Sequence, residues 1–161
     1  MKRFPLEPLK RVRDLRLEAA QRVVAERRAE LARAERQLEV ARQARTDIGR
    51  RRAGHLAACE AAMSDPATLV ADWFERAERH RAWLDSEILR ADGVIAGAEQ
   101  EVARAQARLA EEIAALRRAQ AKVDALETFR GEWQRGVQRE RERQEEQASE
   151  ELFRPSNGTT G

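Results

Sequence analysis

Residues 84–126 read LDSEILRADGVIAGAEQEVARAQARLAEEIAALRRAQAKVDAL, and their apolar side chains return every seven positions. Ile88, Ile95, Val102, Leu109, Leu116 and Val123 hold one place in the repeat. Leu84, Ala91, Ala98, Ala105, Ala119 and Leu126 hold the other. A heptad kept this long makes a helix that must bury one narrow seam against another helix, with a left-handed supercoil. Alanine along one of the two rows lets the partner backbone approach closely. Extending the repeat towards the N-terminus adds Phe74 to the first row and Ala77 to the second.

The partner seam lies upstream in the same chain. Leu17, Val24, Leu31 and Leu38 form one row and Ala20, Ala34, Ala41 and Ile48 the other, after which Arg45, Arg52 and His55 fall on the seam. Prolines occur only at 5, 8, 66 and 155, so nothing interrupts a helix before or after Pro66. Ser64 and Asp65 are suited to cap a following helix and Pro66 to its first turn. The fold class expected is therefore all-α: a long antiparallel two-helix coiled-coil hairpin over residues 1–154. Arm one covers about 6–62, the turn 63–66 and arm two about 67–150. At 1.5 Å per residue the arms would be ~85 and ~125 Å long. Residues 155–161, PSNGTTG, have no apolar anchor and are expected to be a disordered tail.

Composition agrees with that reading and excludes most others. Of 161 residues, 37% are charged and 30 are alanine, which leaves too few large apolar side chains for a thick core. A β-sandwich, a Rossmann domain and most pocket-bearing enzymes are excluded. The net charge of +2 is unevenly divided. Residues 1–62 hold 16 basic against 9 acidic side chains, and residues 63–161 hold 15 against 20, so the halves complement each other when paired. Acidic residues interleave with the basic ones throughout, which argues against a nucleic-acid partner. A single cysteine, Cys59, places the expected location in the reducing cytoplasm. No run approaches the ~18 apolar residues of a membrane span.

Catalytic and metal chemistry find little support. The chain has two histidines, His55 and His80, and neither sits in a metal-binding spacing; His55 with Cys59 and Glu60 is the nearest approach. The stretch from Gly93 to Gly97 lacks the lysine and preceding strand of a phosphate loop. No enzyme activity, cofactor or metal is expected.

The aromatic residues cluster in two places. Trp73, Phe74 and Trp83 follow the turn, whereas Phe4, Phe129, Trp133 and Phe153 gather towards the other end. Spacings of four, three and four put Trp73, Ala77, His80 and Leu84 on one helical stripe, either an interface or packing against arm one. Lys10, Arg11, Arg13 and Arg16 form a dense basic segment, and Glu145 to Glu151 an acidic, solvated helix end.

These features together resemble the stalk protein of the type III secretion export ATPase, the FliJ/YscO/SctO type. The resemblance rests on the opening Phe4-Pro5-Leu6 with Leu9, Val12, Leu15 and Arg16, on the length, on the unequal helices and on the aromatic stretch after the turn. It covers residues 4 to about 150. The absence of tyrosine and the short Ser-Asp-Pro turn favour the injectisome branch over the flagellar one. The resemblance implies an antiparallel coiled coil similar to a rotary shaft; the seams lead to the expectation of a monomer, and charge and hydropathy to that of no nucleic-acid or membrane partner. The end carrying both termini would enter a hexameric ATPase and stimulate it, through Phe4, Leu6, Leu9, Arg11, Arg13, Arg16, Trp133 and Arg139. The turn end would meet the cytoplasmic ring of the export gate through Trp73, Ala77, His80 and Leu84. Chaperone binding is also implied. A dimeric coiled-coil scaffold using the same seams is the alternative.

Overall fold

The computed structural model describes residues 2–65, 67 and 70–154, and the expected tail lies outside them. Two helices account for nearly all of the described chain, α1 over Glu7–Ser64 and α2 over Trp73–Phe153, with no strand among the described residues. This is the expected all-α helical hairpin. The helix start follows local chemistry. Pro5 lies in a turn, Glu7 donates its amide to the Phe4 carbonyl, and Pro8 occupies the first helical turn, where its missing N–H is no loss. Glu7 and Glu75 place negative charge in the two first turns, as the helix dipole favours.

The second helix begins at Trp73 rather than at 67. Ser64 completes α1, its hydroxyl donating to the Glu60 carbonyl, and the Asp65 side chain accepts the Ala67 amide. Ala67, Val70 and Ala71 are exposed, so helix propagated through them would bury nothing. Propensity alone rarely sustains such an extension.

Contacts divide the chain into two compact units, Val23–Glu112 and Met1–Arg22 with Ile113–Gly161. In the first, side chains with reduced exposure recur along α1 at 24, 27, 31, 34, 38, 41, 45, 48, 52, 55, 59 and 62. Alternate steps of three and four are the heptad itself, and the same steps run along α2 from Leu84 to Glu112. Pairing is antiparallel: Arg42 meets Glu99, Arg45 meets Asp92 at 2.9 Å and Arg52 meets Asp85 at 2.5 Å. The seam therefore does not stop where its α1 residues turn polar. Arg45 and Arg52 keep their stems in the heptad row and deliver their charge to an aspartate of α2 at the rim.

One layer of this unit is polar. Arg27 occupies a seam position, its guanidinium Nη1 donating to both carboxylate oxygens of Glu30 at 3.0 and 3.1 Å. Arg108 of α2 approaches the same carboxylate at 3.9 Å. The Arg27 Nε is buried without a partner. Arg27 holds the Glu30 carboxyl below its usual range, and Glu30 in turn raises the Arg27 guanidinium.

The second unit is again an antiparallel pair. Lys10 bridges Asp14 of its own helix and Glu127 of α2, at 2.9 and 3.0 Å. Hydrogen bonds first to Asp14 and then to Glu127 raise the Lys10 ammonium above its usual value. Arg130 approaches Glu7, and the Arg13 guanidinium donates to the Lys122 carbonyl at 2.8 Å. Two paired helices have one seam and no second layer, which is why most seam side chains are only half-buried. The fully covered ones are few: Phe4, Val24, Leu38, Ala41, Leu84, Ala105 and Leu126.

Candidate functional site

In the unit that contains the turn, α2 opens with Trp73 and Phe74 in an edge-to-face contact, ring centroids 5.0 Å apart. One turn further the Ala77 carbonyl accepts a hydrogen bond from His55 Nε2 at 3.0 Å, which fixes the proton on that nitrogen. Cys59 Sγ lies 3.6 Å from the same nitrogen. The His55 ring meets His80 edge-on at 4.6 Å, and His80 stacks on Trp83 at 5.7 Å. A cross-helix imidazole thus takes a seam position that no apolar residue fills, and its neighbour carries the stack outward to an indole.

This geometry corrects the expected stripe. Leu84 is 1% exposed, the most completely buried large side chain, and Ala77 is half-buried with its carbonyl engaged by His55. Both belong to the seam, and Leu84 offers no contact surface. Trp73 is half-buried, and His80 alone of the four is exposed. The apolar surface lies on other residues: Phe74 is 57% exposed, Trp83 48%, and Met63 and Val70 are also open. Phe74 was expected in the seam. It leaves it because the first row of the α2 heptad passes next through Arg81, which is exposed and pairs with Glu78. Over this stretch of α2, Ala77 and Leu84 of the second row keep contact with α1.

In the unit that carries the termini, Phe4 is 7% exposed and packs between Phe129 at 6.0 Å and Trp133 at 5.6 Å. These three rings form a clip that ties the residues before α1 to α2. Phe4 and the inner face of Trp133 are therefore structural, and Phe4 is buried support where a contact residue was expected. Leu6 is half-buried, while Leu9, Val12, Leu15, Arg11 and Arg16 are exposed. Leu9, Arg13 and Arg16 line a shallow groove with Ala115, Arg118, Ala119 and Lys122. Arg11 lines a second one with Lys2, Arg3, Pro8 and Trp133. Four cations face the first groove over a floor of leucine and alanine, and none of them pairs with a carboxylate among the described residues. Arg139 stands on an exposed stretch of α2 and lines neither groove.

An antiparallel helical hairpin with exposed aromatics beside its turn and a basic groove between its helices near the termini defines the class of the molecule. The sequence matches the family model described as YscO-like protein over residues 1–154. The chain belongs to that family, and with it to the proteins of type III secretion. Its fold is similar to a solved structure described as that of a candidate YscO homologue, CT670, from Chlamydia trachomatis. The two share 19% identity over 94% of this chain and 93% of that one, with a TM-score of 0.82. Comparison with curated proteins returns no match. No helix among the described residues is long and apolar enough to cross a membrane.

Proposed function

We propose that the protein is the stalk of a type III secretion export ATPase. It would bind and stimulate the hexameric enzyme with the unit carrying the termini and meet the cytoplasmic ring of the export gate with the unit carrying the turn. Family membership supports secretion as the setting, and the open aromatic surface of Phe74 and Trp83 beside the turn is the observation that carries the two-ended reading. Indoles and phenyl rings left in water beside a charged helix are typical of binding hot spots.

On the gate side, His80 and the outer face of Trp73 act with Phe74 and Trp83, and Leu84 and Ala77 hold them in place. On the ATPase side, Leu6, Leu9, Arg11, Arg13, Arg16, Arg139 and the outer edge of Trp133 make contact, with Phe4 as their support. Exposed ion pairs are worth only ~0–1 kcal/mol each, so contacts of this kind can be broken and remade as a ring cycles. The chain hydrolyses nothing itself; engaged with the ATPase on the cytoplasmic side it works as a monomer, and it also offers its helices to secretion chaperones. Pairing of both seams within one chain weighs against the scaffold that dimerises through them.

The purified protein should raise the turnover of its cognate ATPase, and loss of its gene should stop secretion. An unchanged rate together with intact secretion in the deletion strain would remove the proposal.

A further inference from the structure

From Gln138 to Phe153, α2 is exposed at every position and has no partner helix among the described residues. This segment contains a ten-residue stretch, Gln144 to Phe153, with four glutamates, no basic residue and an apolar end; Phe153 is 86% exposed. The groove at Leu9, Arg13, Arg16, Ala115, Arg118 and Lys122 has the opposite character, four cations over an apolar floor. The two features complement each other in sign and in their apolar ends. Both lie on the unbroken helix α2, so one copy cannot fold its own end back into its own groove.

The geometry points to a second copy of this chain as the occupant: we propose that two molecules associate about a two-fold axis level with Gln134, each laying its acidic helix end in the other's basic groove. The heptad supports this register. Ala115, Arg118, Lys122, Phe129, Arg139, Glu146, Glu150 and Phe153 follow one another by steps of three and four, or sums of these, and so share one stripe of α2 next to the groove. Residues equally far from Gln134 on either side face each other across a two-fold antiparallel pair. Arg118 then meets Glu150, Lys122 meets Glu146, Ala115 meets Phe153, and Phe129 lies against the Arg139 guanidinium. Each contact occurs twice, and no like charges stand opposite one another. Arg118, Lys122, Glu146 and Glu150 are all exposed and form no ion pair among the described residues, so none of them must give up a partner. The association leaves the hairpin closed, unlike a dimer that exchanges seams. It covers Arg13 and Arg16, so self-association and any partner that uses those side chains exclude each other.

Sedimentation equilibrium of the full-length protein at low salt is the test, with helicity at 222 nm as the folding control. Wild-type protein should show a concentration-dependent dimer. Two variants, E146K/E150K and R118E/K122E, should each raise the dissociation constant at least about a hundredfold, since every pair becomes a repulsion. Mixed in equal amounts, the two variants should form a heterodimer of wild-type strength, because at positions 118, 122, 146 and 150 one then carries only cations and the other only carboxylates. A wild-type protein that stays monomeric, a dimer indifferent to both reversals, or a mixture that fails to assemble would each overturn the proposal.

Discussion

Replacing Leu84 by alanine separates packing from binding at the turn. Leu84 sits in the seam with 1% of its surface exposed, whereas Trp83 beside it is half open. The substitution removes three carbons, about 2.4 kcal/mol of transfer free energy at ~0.8 kcal/mol per buried methylene. A residual cavity adds to that in a thick core, where such changes reach ~5 kcal/mol. Here two helices can close towards each other with no second layer to hold them apart, so the lower end applies, about 2–3 kcal/mol. For a chain of this size that lowers the melting temperature by roughly 5–10 °C.

Urea unfolding followed by helicity is the assay. The midpoint should fall with an unchanged slope, which marks a loss of stability rather than a change of compactness. Leu84→Met should cost less than about 1.5 kcal/mol, since volume and apolarity are kept. Trp83→Ala should leave the midpoint nearly unmoved and reduce secretion. If Leu84→Ala unfolds like the wild type yet abolishes secretion, Leu84 is a contact residue, and the seam assignment at this end is wrong.

Two further substitutions probe other layers. Phe4→Ala removes the centre of the aromatic clip, losing about 2–3 kcal/mol of burial and two ring pairs at ~0.5–1.5 kcal/mol each; hydrogen exchange should rise in residues 4–20 and the near-ultraviolet signal of Trp133 should fade, and unchanged exchange there would refute the clip. Glu30 titrates below the usual carboxylate value of 4.5 because Arg27 donates to it, so its stabilising contribution is complete above that value and is lost as pH falls through the lower folded value. The Glu30→Gln variant should therefore show a flatter acid limb in stability against pH, and a limb as steep as that of the wild type would refute the coupling.

Much of the fold was legible because one physical constraint repeats. A helix with a single apolar row every 3.5 residues has one way to bury it, and the rows around Leu38 and Ala105 emerge buried where the heptad puts them. Arg45, Arg52 and His55 looked like decay of the seam. They keep its spacing because their polar ends reach Asp92, Asp85 and the Ala77 carbonyl, partners on the opposite helix that no single-helix pattern reveals. The start of α2 was misplaced for a related reason, since proline and capping signals mark where a helix can begin but not whether its first turns will bury anything.

The candidate site was read less well, and the cause was present in the sequence. Ala77 and Leu84 are seven residues apart and lie on the seam row, so the same stripe cannot also face a partner while the hairpin is closed. An interface has to be sought on positions that the closed seam leaves over, which here means Phe74, His80 and Trp83, and on α2 beyond Trp133 the stripe through Arg139, Glu146 and Glu150. In a two-helix protein the seam uses about two residues in seven. Everything else is surface, so recognition must depend on the few apolar or unpaired charged side chains that solubility alone does not explain.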